Sequence, residues 1–351
     1  MAQGMTLHEA YLAAGAALAS DGIPLHFGDL TQEYEAALHH AVVLDRSHEG
    51  RLYVVGRDRF ELLNRMSTNN LMGMTAGQGV PTLFTNANAR VIDRAVAYYE
   101  NDERLLVITG PGRGNAVFDY LRRNIFFNDQ VSVQQAEQTS QFAVHGVQAD
   151  AVMAALLPGS SDIPVFGALH GTLNGVSVFA VRMEPLIGAH WAVICAASDA
   201  AVVWRALVDA GAAPAGGLTY NTLRIRAGRP GTGRELTTDY IPLELGLWDE
   251  VSFNKGCYTG QEIIARMESR NKLARTLVRL ELEVMVNAPA DLFHEGKQAG
   301  TLTSSVTAPD GVIYAMGIVK VAHAEPGTLL VTAQGAVVRV VELLGVQPLT
   351  R

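Results

Sequence analysis

Cysteine is nearly absent. Only Cys195 and Cys257 occur in 351 residues, too few for a disulfide framework and in keeping with a reducing compartment. Surplus positive charge is also lacking. The formal net charge is −8, which argues against broad nucleic-acid binding, since that needs a basic surface to neutralise phosphates. No apolar stretch reaches bilayer-spanning length. The run from Leu12 to Ala19 has no basic segment before it and carries His8 and Glu9 upstream. It reads as the buried face of a first helix rather than as a signal peptide. Metal and hydrolase signatures are missing as well: there is no HExxH, no CxxC, no P-loop Lys-Ser/Thr pair and no GxSxG elbow. These absences leave a cytoplasmic protein with no membrane, nucleic-acid or protein-ligated metal partner as the expectation.

What is present is an ordinary globular composition, 48% hydrophobic and 18% charged, at a length that allows two or three domains. Asp29, with Gln32 three residues on, has the form of a capping box for a helix from Leu30 to about His40. Arg51 to Val55 reads as a strand and Gly56 as a turn, and Asp58 with Glu61 opens a helix through Met66. Strands follow at Val80 to Thr85, Val91 to Tyr99 and Leu105 to Thr109, then a helix from Asn115 to Arg123. A similar order recurs from residue 141: strand Phe142 to His145, Gly146, helix Ala149 to Leu157, strands Val176 to Val181 and Trp191 to Cys195, and a helix opened by Ser198. Two related α+β halves are therefore expected, each an antiparallel sheet with helices on one face, at about 46–137 and at 1–45 with 138–274. From Arg275 the texture changes to short β-branched runs between turn residues, which predicts a small barrel or sandwich over 275–351.

Two stretches carry candidate chemistry. Gly110, Gly112 and Gly114 lie between a strand and a helix, but the spacing is GxGxG in an antiparallel setting, so a plain Gly-rich turn is favoured over a phosphate cradle. Between residues 224 and 262 five basic residues concentrate: Arg224, Arg226, Arg229, Arg234 and Lys255. Arginine offers a planar fork to carboxylates, so this cluster would suit a carboxylate-bearing ligand, and a solvated basic surface would look the same. Thr259 and Glu262 form a capping-box pattern for a helix through about Glu268. That puts Cys257 before a helix N-terminus and two residues from Lys255, both of which favour thiolate. A small packed cysteine and a merely capping Glu262 remain the plainer alternatives.

The stretch "KGCYTGQE" at 255–262 resembles the short motif of the YgfZ-type folate-binding proteins. These form a branch of the aminomethyltransferase (glycine-cleavage T-protein) superfamily that includes a mitochondrial iron–sulfur assembly factor. The likeness extends along most of the chain. "LDRSHEGRLYVVGRDRFELLNRMSTNNL", "TLFTNANARVIDRAVAYY", "LRIRAGRPGTGREL" with "IPLELGL", and "GTLTSS" with "AMGIVK" each resemble a family segment. The resemblance implies two ferredoxin-like α+β domains around a central folate cavity, followed by a C-terminal barrel. It also implies a bound tetrahydrofolate or related reduced folate, and iron–sulfur assembly proteins or client enzymes as partners. On that reading Asp93 contacts the folate, and Cys257 is the reactive group with its pKa depressed by Lys255. The folate glutamate tail would meet some of Arg224, Arg226 and Arg229, and Tyr258, Gln261 and Glu262 would join Lys255 on the ligand. Two positions depart from the T-protein pattern. The Ile-Asp-Asp turn here reads Asp93–Arg94, and the helix glutamate that contacts the pterin falls at Arg226. Both weaken the alternative expectation, one-carbon transfer from an amine donor with Asp93 as the folate-orienting base. A third expectation is a scaffold with a vestigial cavity.

Overall fold

The structure is a computed structural model, and it describes residues 5–270 and 273–345. Two sheets pack face to face with helices on their outer sides. The first sheet runs Gly79–Thr85, Val91–Asn101, Arg104–Pro111, Glu49–Val55, Ser132–Gln135 in spatial order, antiparallel throughout. The second runs Ala168–Leu173, Val176–Met183, Ala189–Ala196, Thr139–Gly146, Val42–Asp45, Ala213–Pro214. Its last pair is parallel, a departure from the all-antiparallel expectation. The chain reaches that edge after the helix Ala200–Asp209, and a helical crossover delivers a strand parallel to its neighbour.

The period-two pleat sorts side chains between the layers. On Val91–Asn101, Ala95 and Ala97 join Leu62, Leu63 and Val117 of the helices Arg59–Met66 and Gly114–Arg123. Val96 and Tyr98 point the other way and meet Phe179, Val181 and Ile194 of the second sheet. The helices Ala149–Leu156 and Ala200–Asp209 cover the far side of that second sheet around Trp191. Six further strands, Arg275–Leu282, Ile313–Lys320, Lys297–Thr307, Ala290–His294, Leu329–Thr332 and Val337–Leu343, close into a barrel filled by Leu280, Leu292, Leu302 and Val338. The fold is thus α+β with a closed barrel at its C-terminal side. Residues 1–4 and 346–351, inside the expected domain bounds, lie outside the described residues.

Several local readings change. The first helix is Leu7–Ala13, ended by a turn in which Gly15 has φ +85°, so the run Leu12 to Ala19 is not one helix face. Leu12 is exposed, and Ala10 and Tyr11 are the buried residues. Asp29 does cap Leu30–His39, its carboxylate accepting from the N–H groups of Thr31 and Gln32. Asp58 makes no such cap; its carboxylate instead accepts from Gln130 N and Arg57. The Thr259–Glu262 box does not form either. Gly260, at φ +86°, turns the chain into the helix Gln261–Arg270, and the exposed Glu262 makes no hydrogen bond among the described residues. Glycines at 50 and 114 allow strand and helix to touch, since a Cβ on Gly50 would stand 2.4 Å from the Gly114 Cα.

Candidate functional site

Where the two inner sheet faces separate, they leave a cavity of about 300 Å³. Arg94, Ile108 and Gly110 line it from the first sheet, Met183 and His190 from the second, and Glu184 from just beyond the strand Val176–Met183. The helix Gly217–Arg226 adds Tyr220 and Arg224, and the loop beyond it adds Arg229, Thr232 and Arg234. Arg94 has the same pleat parity as Val96 and Tyr98, which is why it points into the space between the sheets.

The wall is a set of ion pairs. Arg94 binds both oxygens of Glu250 from Nε at 2.7 and 2.9 Å, and reaches Glu184 at 3.4 Å. Arg229 also donates to Glu184. Arg46 forks onto Glu49 at 2.8 and 2.5 Å, and its guanidinium lies 3.8 Å over the Tyr220 ring. Arg224 pairs with the fully buried Glu235 at 3.0 Å. Burial raises the pKa of Glu184 and Glu49, but Arg229 and Arg46 outweigh it and hold both carboxyls below their usual value. For Glu250 burial wins over Arg94, and the pKa rises. Among the arginines on this wall, Arg234 makes no ion pair within the described residues, and it is exposed.

His190 adds a neutral acceptor. Its ring stacks on that of His145 at 3.8 Å, and Nδ1 lies 3.1 Å from the Glu184 carbonyl. A carbonyl only accepts, so Nδ1 carries the proton and Nε2 the lone pair. Burial lowers His190 to about 4 and puts His145 well below its ordinary value.

Asp93 stands behind this wall. It has the parity of Ala95 and Ala97, is fully buried, and does not line the cavity. Its Oδ2 accepts from Gly110 N at 2.8 Å while Oδ1 has no partner among the described residues. Burial lifts its pKa to about 6 against that hydrogen bond. Gly110, which does line the cavity, is the separating layer: a Cβ there would meet Asp93 Oδ1 at 2.9 Å and Thr232 Oγ1 at 2.3 Å.

The motif at 255–262 lies apart from the cavity lining. Cys257 is exposed. Lys255 Nζ donates to the carbonyls of Asn64, Ser67 and Asn69 at 2.5–2.6 Å, tying off the end of the helix Arg59–Met66. Its charge is committed there, which corrects the expectation of an ammonium serving the Cys257 thiol. Burial lowers Lys255 to about 7, and the three acceptors favour the ammonium against that trend. Tyr258 is buried in the core below, with the ammonium 4.9 Å over its ring. Gln261 and Glu262 begin a helix and do not reach the cavity. Arg226 sits between the rings of Tyr34 and Tyr314, 5.9 Å from each. A two-residue step turns the helix about 200°, so Arg226 points away when Arg224 faces the cavity. The sequence reading missed Glu184, His190, Tyr220 and Glu250, which come together only through the fold.

A family model described as the GCVT N-terminal domain matches residues 7–255. A chloroplastic Arabidopsis thaliana protein named as a transferase is 32% identical over 301 residues, covering 85% of this chain and 69% of that protein. An aminomethyltransferase of Streptomyces avermitilis is 28% identical over 334 residues, 92% of this chain and 90% of its own. Among solved structures, the glycine cleavage system aminomethyltransferase T of Bartonella henselae superposes with a TM-score of 0.85 at 24% identity, covering 97% and 98% of the two chains. That likeness shows a shared fold. The chain belongs to the GCVT N-terminal domain family and is aminomethyltransferase-like.

Proposed function

We propose that the chain binds a reduced folate in the cavity between its sheets and acts as a folate-binding accessory protein rather than as an aminomethyl transferase. The observation that carries this reading is the state of the cavity carboxylates. A general base for one-carbon transfer must be free to take a proton. Glu49 and Glu184, the carboxylates that line the cavity, are both bound by arginines, Glu250 lies behind the lining on Arg94, and Asp93 is screened by Gly110. Arg94 stands where a second carboxylate would face the ligand.

The residues present fit a folate. The His190 Nε2 lone pair and Oε1 of Glu184, whose Oε2 is taken by Arg94 and Arg229, would accept from pterin N–H groups, and the apolar walls of Val96, Ile108 and Met183 would take the ring faces. The Arg234 guanidinium, which makes no ion pair among the described residues, suits the glutamate tail better than Arg224 or Arg229, whose charges are already spent on carboxylates. A reduced folate, when bound, supplies ring nitrogens that can hold a one-carbon unit. Calorimetric titration with tetrahydrofolate and its 5-formyl derivative tests the reading, together with a panel of N-methyl amines and aminomethyl-lipoyl carrier as donors. Saturable binding without methylene-tetrahydrofolate formation is expected; turnover with any donor would restore the transferase reading.

The accessory role in iron–sulfur assembly or repair, and membership of the YgfZ-type branch, rest on the motif and on the exposure of Cys257. A thiol outside the cavity is available to a partner protein. Full recovery of iron–sulfur enzyme activity by Cys257→Ala in a deletion strain would remove this part of the proposal.

A further inference from the structure

The barrel meets the rest of the chain through Leu277, Met316 and Ile318 of its strands Arg275–Leu282 and Ile313–Lys320. The strands Leu329–Thr332 and Val337–Leu343 contribute no residue to that cluster. Their inward positions, Leu330, Val338 and Val340, fill the barrel core. Their outward positions would ordinarily be polar, since an antiparallel sheet with one wet face alternates apolar and polar residues. Here they are Leu329, Val331, Val337 and Val341, between 38 and 51% exposed. Val331 pairs with Val337 on one side and with the partly buried Phe293 on the other, so an apolar row crosses three strands.

Charge enters this face at the seam with Arg275–Leu282, and there it cancels in pairs. Arg339 meets Glu281 at 3.3 Å and Arg279 meets Glu342 at 2.9 Å. Glu283 and Asp291 are exposed acids at the rim, where salt screens them. A chain of net charge −8 repels its own copies over most of its surface, so a face whose charges cancel is where two copies can meet. An anionic lipid or a nucleic acid finds no cationic surplus there to hold it.

We propose that this barrel face is the contact between two copies of the chain, packed sheet on sheet about a two-fold axis. From Phe293 across to Glu281 is three strand spacings, and from Val337 to Val341 is four residue rises, a face of about 14 by 13 Å. Two such faces bury less than the roughly 1,200 Å² of a stable interface. The dimer is therefore weak and concentration-dependent, and it is independent of what the cavity binds.

The test is analytical ultracentrifugation of the full chain from about 5 to about 500 μM, with a dimer midpoint expected on the order of 100 μM. Val337→Lys should stay monomeric over that range with an unchanged thermal midpoint, since the side chain is half exposed. Arg339→Glu and Glu281→Arg, each giving the seam a surplus of one sign, should each dimerise less than the unaltered protein. Mixed in equal amounts, the two should associate at least as well as it does. A monomer at every concentration would overturn the proposal. So would dimerisation undiminished in Val337→Lys, or a mixture no better associated than either variant alone.

Discussion

Replacing Glu235 by alanine should be among the most destabilising single changes in the molecule. Glu235 is fully buried and holds three groups at once. Its Oε2 accepts from Arg224 Nη1 at 3.0 Å and from Gly231 N at 2.8 Å, and its Oε1 accepts from Ser304 Oγ at 2.6 Å. Ser304 lies on the barrel strand Lys297–Thr307 and Arg224 on the helix at the cavity wall, so one carboxylate joins the barrel to the site. Alanine would leave the Arg224 guanidinium buried without its counter-charge and the Gly231 N–H without an acceptor. Loss of one partner from a buried pair costs about 3–5 kcal/mol. The double change Arg224→Met with Glu235→Leu removes both charges together and should recover at least half of that loss, since a buried pair is often replaceable by apolar groups at little net cost. Urea unfolding followed by tryptophan fluorescence reads both effects. A single-variant loss under about 1 kcal/mol would refute the reasoning. So would a double variant less stable than the single.

Other consequences follow from the buried titratable groups and the motif. His190 at about 4 and His145 well below its ordinary value stay neutral when folded. Unfolding lets them bind protons near the usual 6.5, so their contribution is present above about pH 6.5 and lost as pH falls towards 4. Thermal midpoints measured across that window should drop, and the drop should shrink in His190→Gln. Asp93 has the opposite sign. Its pKa of about 6 lies above the unfolded 3.8, so burying its charge is a cost above pH 6 that disappears below about pH 4. Asp93→Asn should therefore be the more stable protein at pH 8, by on the order of 2 kcal/mol, with no advantage at pH 4. Lys255→Met should lower stability by about 1–3 kcal/mol, because three carbonyls lose their donor; an unchanged urea midpoint would contradict the capping role. A thiol reagent should modify one cysteine quickly in the native protein and the second only on unfolding. Cys257 is exposed, while Cys195 is buried and pushed up to about 12 by that burial.

The layout of sheets, helices and barrel could be read from the sequence because hydrophobic period and turn residues are local signals. The Val91–Asn101 strand and the Leu30–His39 helix with its Asp29 cap both announce themselves within a dozen residues. Errors fell where a local motif met a tertiary competitor. Asp58 had the spacing of a cap, but Gln130 N, 72 residues away, took its carboxylate. Thr259 and Glu262 had the capping pattern, and the backbone instead turned at Gly260. The cavity was less legible still. Arg94 finds Glu184 and Glu250, 90 and 156 residues further along, and no window of sequence contains such a pair. One signal was there to use: adjacent residues on a strand face opposite ways, so Asp93 and Arg94 could not both meet a ligand. Lys255 looked like a partner for Cys257 because they are two residues apart, but three carbonyls from 64–69 hold its amine.

The central claim, that the space between the two sheets holds a reduced folate, is tested most directly by filling that space. Met183 ends the strand Val176–Met183 on the cavity wall and is only partly buried, so Met183→Trp adds a ring where the ligand would lie without opening the core. Calorimetric titration with tetrahydrofolate should give saturable binding to the unaltered protein and none to a folded Met183→Trp. Equal binding to both would place the ligand elsewhere and contradict the account.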